Sequence, residues 1–531
     1  MLAELLFYAI ISGTLFYIFY KWATINREYF VKRKLKHVEP NFLIGNLLGL
    51  FLKRHRPAEF MDSLYYRYPN EKLIGLFDMR VPIYLVRDVD LIQKITKKDF
   101  DNFEDHVAFI DSESDTLFGQ SLFLMSEQKW REMRATLSPA FTGSKMRHMF
   151  ELVVECADDM AKYLVSEAKQ KPVRWEMKEL FSRYTSDVIA SCAFGLKVDS
   201  LKDRTNEFFT IGTNSLNFGS FAVAMRMLLI RSMPKLMRAI DFEFFPAHVK
   251  HFFKSMVLDT MAEREKKHIV RADMINILMQ VRSGNLKHQV EEAHDDDAGF
   301  ATVKESNIGK GPVKRSWTDD EIVAQCFIFF AAGFDTVSTL MSFLSYELAI
   351  NQDVQKTLYE EIREVNKTLN GTRLTYDTLS KMKYLDQVIS EALRKWPPAI
   401  FTTRKCTKDY DLDLDGNKVL IERGNVVFLP ICSIHHDSKF YENPEHFDPE
   451  RFNDENKHKI NPGAYLPFGI GPRNCIGSRF ALMEVKALFF YLVLNFNIQP
   501  YEKTQIPVQI AKSAANWITE RGIHVEFKPR V

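Results

Sequence analysis

The sequence predicts a mainly α-helical protein with small β-sheets, an α+β class, preceded by an N-terminal transmembrane helix. Three observations carry that prediction. Residues 2–20 read LAELLFYAIISGTLFYIFY, with Glu4 as the one charge. Thr318 and Glu321 form a capping box, and the IVAQCFIFFAAGFDTVSTLMSFLSYELAI that follows is apolar on nearly every face, so it reads as a buried helix. Short β-like runs, KVLIE and NVVFLP, flank Gly424 and put a minor sheet late in the chain.

Taken in order, the N-terminal stretch of about 19 residues at 1.5 Å each spans the hydrocarbon core of a bilayer. Lys21, Arg27, Lys32, Arg33, Lys34 and Lys36 follow it, which puts the bulk of the chain on the cytoplasmic side. A cleaved signal peptide is the alternative. Against it stand the length of the apolar run, the missing basic n-region and the lack of a small-x-small site. Residues 1–20 are therefore read as an anchor, 21–40 as a basic hinge and 41–531 as the body. Asn366 and Asn370 are formal glycosylation acceptors that a cytosol-facing body leaves bare.

The body has the composition of a protein with a large core: 46% of the 531 residues are apolar. Lys plus Arg number 71 and Asp plus Glu 69, so the net charge of +2 gives no whole-protein case for a nucleic-acid partner. Six scattered cysteines without C-x-x-C pairing argue against a disulfide framework or zinc module and fit a reducing compartment. FEFFPAHVKHFF, Phe242 to Phe253, reads either as a second membrane-touching patch or as a buried helix junction. Residues 283–316 are polar and charge-clustered, a surface linker with little drive to order. Thr378 to Trp396 has helical periodicity and stops at Pro397-Pro398.

PFGIGPRNCIGSRFALMEV, Pro467 to Val485, surrounds Cys475 with Gly469, Gly471 and Gly477. A free thiol near pKa ~8.5 is mostly protonated, whereas a metal ligand must be the thiolate, so its site has to supply donors and positive potential. A first helical turn after Cys475 would aim backbone N–H groups and the helix dipole at the sulfur. Glycines let the backbone turn tightly and approach a flat cofactor. A lone cysteine in such a loop is more often a small buried residue. The full spacing, Phe468-x-x-Gly471-x-Arg473-x-Cys475-x-Gly477, is what distinguishes this one: it resembles the haem-binding signature of the cytochrome P450 family at every fixed position.

That resemblance implies the P450 fold and haem b held by Cys475 as proximal thiolate ligand, with Arg473 on a propionate, Phe468 shielding the sulfur and Gly469 and Gly477 shaping the loop. Thiolate ligation favours O–O cleavage. Glu391 and Arg394 share a helix face and resemble the family's E-x-x-R, with Arg451 of PERF completing a buried charge network. AAGFDT resembles the oxygen-activation segment, implying that Thr336 and Asp335 manage protons during O2 activation while Gly333 opens room. A helical Thr also bonds back to the i−4 carbonyl, which is the plainer reading of Thr336. Val337 stands where many relatives carry a second Thr. Trp130 and Arg134 of WREMR match W-x-x-x-R, and with Arg404 they are implied propionate contacts.

The matches run from Trp130 to Gly477, so one catalytic domain is expected although length alone suggests two or three. DHVAFIDS, GFATV and AGFDTVSTLMSF further resemble insect microsomal members known for detoxification. The hinge departs from pattern in offering only Pro40. Phe103, Phe109, Phe118, Phe208, Phe327, Phe330, Ile400 and Phe401 fall where the family lines its distal pocket, implying a lipophilic substrate. No flavin or nicotinamide fingerprint is legible, so electrons are expected from a separate NADPH–cytochrome P450 reductase, with cytochrome b5 as a further donor and the endoplasmic reticulum membrane as location. Two rival classes remain open: a non-catalytic haem protein sequestering lipophilic toxins, and an O2-independent haem-thiolate isomerase.

Overall fold

Asp319 to Ile350 form a single helix, opened by the expected capping box: the Thr318 hydroxyl accepts from the Glu321 N–H while the Glu321 carboxylate accepts from the Thr318 N–H. Asp319, Asp320 and Glu321 crowd its first turn, where negative charge suits the helix dipole. The computed structural model describes residues 2–530 apart from 43, 52–53, 108–109, 111–114, 217–220, 272, 284–298, 304, 307, 309–314 and 513–516. Phe109 and most of the predicted linker thus lie outside the described residues.

The principal helices are α1 (Leu2–Thr24), α2 (Tyr29–Lys32), α3 (Glu127–Leu137), α4 (Gly143–Ala168), α5 (Met177–Ile189), α6 (Ala247–Lys267), α7 (Asp319–Ile350), α8 (Lys383–Lys395) and α9 (Ser478–Asn495). The described strands are β1 (Leu73–Asp78), β2 (Val81–Val86), β3 (Val173–Glu176), β4 (Thr402–Lys405), β5 (Tyr410–Leu414), β6 (Asn417–Ile421), β7 (Val426–Leu429), β8 (Phe496–Gln499) and β9 (His524–Pro529). By contact the chain divides into two units, one of Met1–Val107, Ile400–Ile434 and Lys512–Asn516 and one of Ala108–Ala399, His435–Ala511 and Trp517–Val531.

The first unit holds a four-stranded sheet in the order β1-β2-β7-β4. β1 and β2 form an antiparallel hairpin, β7 runs parallel to β2, and β4 returns antiparallel to β7. The sheet is therefore not confined to the end of the chain, as its late β-like runs suggest. β5 and β6 make a second hairpin whose turn, Asp415-Gly416, has positive φ at both residues, the geometry that Asp-Gly favours. α1 is exposed along its length and is long and apolar enough to cross a membrane. At its end the Arg80 guanidinium lies 3.6 Å over the Trp22 ring and donates to the Trp22 carbonyl at 3.1 Å.

The basic stretch 21–40 docks on this sheet. Phe30 is fully buried, edge-on to Phe77 and Tyr84 at centroid distances of 5.0 and 5.3 Å. The chain then bridges to β1: Gly75 N–H donates to the Lys36 carbonyl at 2.9 Å, and Val38 N–H to the Gly75 carbonyl at 3.0 Å. Gly75 is required here, because a Cβ would stand 2.5 Å from the Phe30 ring.

In the second unit, β3, β9 and β8 form an antiparallel sheet and helices supply the rest. α5 packs along α7, with the Thr185 hydroxyl donating to the Phe334 carbonyl at 3.2 Å. The predicted helix from Thr378 to Trp396 is two pieces, Tyr376–Ser380 and α8, broken at Lys381-Met382. Phe244, Phe245 and Phe253 are buried at the start of α6, so the Phe242–Phe253 stretch is a helix junction.

The Phe30–Gly75 contact yields a test. Gly75→Ala should overpack the contact, at a cost of about 1–3 kcal/mol, and release the segment ahead of β1. Limited proteolysis should then cut between residues 25 and 40 faster than in the parent chain.

Candidate active site around Cys475

The cysteine loop is held by its own backbone. Cys475 N–H donates to the Phe468 carbonyl at 2.8 Å, Asn474 N–H to Gly471 at 3.0 Å and Gly469 N–H to Leu466 at 3.0 Å. Gly469 and Gly471 sit at φ +74° and +75°, left-handed backbone that disfavours a Cβ. Gly477 is the N-cap of α9, so the loop ends at a helix N-terminus. Water-sized space reaches Cys475, yet burial raises its thiol above the usual range. The Gly477 N–H and the Arg134 guanidinium act in the opposite sense, and Glu305 reinforces the rise.

Behind the loop lies the network expected from E-x-x-R. Arg394 donates to both oxygens of Glu391, at 2.7 and 2.9 Å, and both side chains are fully buried. Burial works against the guanidinium charge, but Glu391 more than offsets it and the pKa ends raised. Arg394 also donates to the carbonyls of His435 at 2.9 Å and Pro444 at 2.7 Å. Arg451 joins as an ion pair 3.5 Å from Glu391, while Asp448 N–H donates to the same carboxylate at 2.9 Å. His435 then reaches the loop: its Nδ1 lies 3.1 Å from the Arg394 carbonyl and its Nε2 accepts from Leu466 N–H at 2.8 Å. Only the neutral Nδ1–H tautomer satisfies both. Burial, then the charges of Arg394 and His436, pull its pKa down to about 3.

On α3, Trp130 and Arg134 are both buried. The Arg473 guanidinium stacks 3.9 Å over the Trp130 ring and donates to the carbonyls of Met125 at 2.8 Å and Leu122 at 3.4 Å. Gln325 of α7 fixes that same segment, accepting from Leu122 N–H at 2.8 Å and donating to the Gln120 carbonyl at 2.9 Å. Arg134 donates to Asn474 through its carbonyl and side-chain oxygens, at 2.8 and 2.7 Å, and to both oxygens of Glu305, at 2.9 and 2.6 Å.

Along the middle of α7, Ala332 and Thr336 are exposed, one turn apart on a helix otherwise largely buried. The Thr336 hydroxyl donates to the Ala332 carbonyl at 2.6 Å, the back-bond of any helical Thr. Asp335 points instead to Lys178 of α5, whose ammonium donates to its carboxylate at 2.8 Å and to the hydroxyls of Ser338 at 2.8 Å and Thr339 at 2.7 Å. A Cβ on Gly333 would meet Ile189 at 3.0 Å, so this glycine lets α5 approach. Phe141 links α7 to the loop, 5.5 Å from the Phe329 ring and 3.9 Å from a Cβ placed on Gly477. An accessible thiol above a helix N-terminus, glycine-shaped backbone, and exposed small side chains on a buried helix fit a flat, cysteine-ligated group such as haem.

Of the predicted pocket residues, Phe118, Phe327, Phe330 and Phe208 belong to one buried aromatic cluster, joined through Phe245 and Phe253. Phe103, Ile400, Phe401 and Arg404 belong to the first unit. There Phe103 packs edge-on to Tyr410, Phe401 stacks on Phe428, and burial pulls the Arg404 guanidinium down to about 10. Sequence reasoning missed Lys178, Glu305, Gln325 and His435. Only Glu305 had a local signal, two residues beyond GFATV, and it was absorbed into the predicted linker.

Comparison with known proteins gives a consistent picture. A family model described as Cytochrome P450 matches residues 36–527. The chain is 42% identical over 521 residues to "Probable cytochrome P450 9f2" of Drosophila melanogaster, covering 97% of each. It is 42% identical over 527 residues to "Cytochrome P450 9e2" of Blattella germanica, covering 97% of this chain and 96% of that one. With "Cytochrome P450 6k1" of Blattella germanica it shares 34% over 518 residues, covering 98% and 96%.

The neutral His435 makes stability depend on acidity. The unfolded chain binds a proton at this residue near pH 6.5, but the folded chain does so only near pH 3. Stability present above pH ~6.5 is therefore lost as pH falls through that window, by at most about 1.4 kcal/mol per pH unit. Urea unfolding between about pH 7 and pH 5 should show this loss, and His435→Gln should flatten it.

Proposed function

Since the chain belongs to the cytochrome P450 family of haem-thiolate monooxygenases, we propose that it is a membrane-anchored enzyme oxidising lipophilic xenobiotics such as plant toxins or insecticides. Its electrons come from NADPH through a separate reductase, with cytochrome b5 as an accessory donor. The observation that carries the reading is the Cys475 thiol, reached by water-sized space at the head of α9 and braced by the fully buried Glu391–Arg394 pair.

The second unit by itself supplies Cys475, Arg473, Trp130, Arg134, Asp335 and Thr336. Cys475 would hold haem b as its thiolate ligand, Arg473, Trp130 and Arg134 would supply donors to its propionates, and Phe468 would shield the sulfur. When bound, thiolate-ligated haem supplies O2 binding and O–O cleavage. The chain's own residues govern protons and access. Asp335, held by Lys178, is the carboxylate from which protons reach the Thr336 hydroxyl, and Thr336 presents them to the cavity through its exposed face. Gly333 keeps α7 close to α5, and the cluster around Phe327 and Phe330, closed to water-sized space, packs the buried side of α7 rather than lining a cavity as the sequence suggested. α1 and its basic flank support anchoring in the endoplasmic reticulum membrane with the body facing the cytosol.

Two measurements and three variants test this. The reduced full-length protein with CO should show the strongly red-shifted Soret band of thiolate ligation; correctly folded protein without it refutes the proposal. Incubation with reductase, NADPH and apolar plant toxins or insecticides should form products one oxygen heavier, whereas a sequestering protein would bind them unchanged. Cys475→Ala should abolish the thiolate band. Thr336→Ala should keep the band and continue to consume NADPH, with product per NADPH falling and hydrogen peroxide rising. Asp335→Asn should slow product formation by about 100-fold or more.

A further inference from the structure

Within the predicted linker, residues 299–303, 305 and 306 are built into the structure around the cysteine loop, where the sequence suggested little drive to order. Phe300 packs on Phe452 and Tyr465, at centroid distances of 5.1 and 5.3 Å, and its N–H donates to Asp386 at 2.9 Å. Gly299 has φ +110°, and a Cβ there would stand 2.0 Å from the Asp386 carboxylate and 2.9 Å from the Lys486 ammonium. Only glycine lets this backbone lie against the Asp386–Lys486 ion pair, which is itself largely buried. Ala301 is buried as well.

From this strap Glu305 reaches Arg134. The pair is bidentate, at 2.9 and 2.6 Å, with Arg134 only 3% exposed. Two further bonds tie Arg134 to Asn474, the residue before Cys475. A guanidinium has five N–H donors, and these contacts engage four of its N–H directions. The fifth, on Nη1, takes part in none of them. Arg134 is thus less a propionate clamp than a bracket between strap and cysteine loop, and its charge is met by Glu305.

We infer that Glu305 is a positioning residue which fixes Arg134 beside the cysteine ligand and, by balancing its charge, sets how readily the ligated iron accepts an electron. The inference rests on the haem-thiolate reading above. The physical reason is the sign of the charges. One-electron reduction adds negative charge at the iron–sulfur unit, which a nearby unbalanced cation favours and an anion opposes. Arg134 is buried and Glu305 is 29% exposed, so these terms are partly screened by water but not abolished.

The test uses full-length, haem-loaded protein and reads the reduction midpoint by spectroelectrochemical titration with dithionite, alongside haem content and the CO band. Glu305→Gln keeps the shape and removes the charge. It should retain haem and the thiolate band while shifting the reduction equilibrium toward ferrous iron by about tenfold, ~59 mV more positive for a one-electron couple. Glu305→Asp should restore most of the parent value. A Gln variant with haem, thiolate band and the parent midpoint overturns the inference. If Glu305→Gln fails to hold haem, Phe300→Ala decides, since it frees the strap and leaves the charge. A more positive midpoint together with faster proteolysis of residues 299–306 supports the inference, and a parent-like midpoint with the strap released overturns it. A parent protein without the thiolate CO band refutes the haem-thiolate reading itself, which separates that failure from failure of the role given to Glu305.

Discussion

A carboxylate and a guanidinium buried together, Glu391 against Arg394, are the constraint on which the site depends. Neither tolerates the interior alone, so each requires the other, and the remaining donors of Arg394 must find acceptors nearby. They find the carbonyls of His435 and Pro444. That requirement pulls the segment before the cysteine loop onto α8. His435 carries it one step on to Leu466, and the Tyr465 hydroxyl, donating to the Ser390 carbonyl at 2.9 Å, ties a second point of the same segment to α8. The loop's position is thus set by the electrostatics of a pair that itself does no chemistry.

Much of this was legible because motifs of fixed spacing report local geometry. The capping box at Thr318 and Glu321, the left-handed glycines near Cys475 and the late strands are written within a few residues of where they act. What was not legible depended on distant partners. β1 is buried on both faces and so lacks the alternation that marks a half-exposed strand. The break before α8 is set by Glu361, whose carboxylate accepts from Tyr384 and Leu385 N–H at 2.8 and 2.9 Å and so caps a helix some twenty residues away. Lys178 and Glu305 meet their partners across more than 150 residues of sequence. No periodicity foretells such contacts.

Asp335 and Thr336 are neighbours in sequence but face different surroundings. A helix turns by about 100° per residue, so the carboxylate lies with Lys178 and the α5 side while the hydroxyl sits on the exposed stripe with Ala332. Anionic and neutral groups are thereby kept apart by the helix itself, and any exchange between them must pass around its surface. Lys178 holds the carboxylate through charge and the surrounding hydroxyls through hydrogen bonds, so one side chain orders the whole α5-facing patch.

The docking of residues 26–38 on β1 has a practical side. Phe30 belongs to the core of the first unit, and Lys36 and Val38 are hydrogen-bonded to Gly75. A shortened protein that omits α1 should accordingly begin at about Asn26, because starting beyond Pro40 would strip a buried aromatic and leave an uncovered sheet edge inviting self-association.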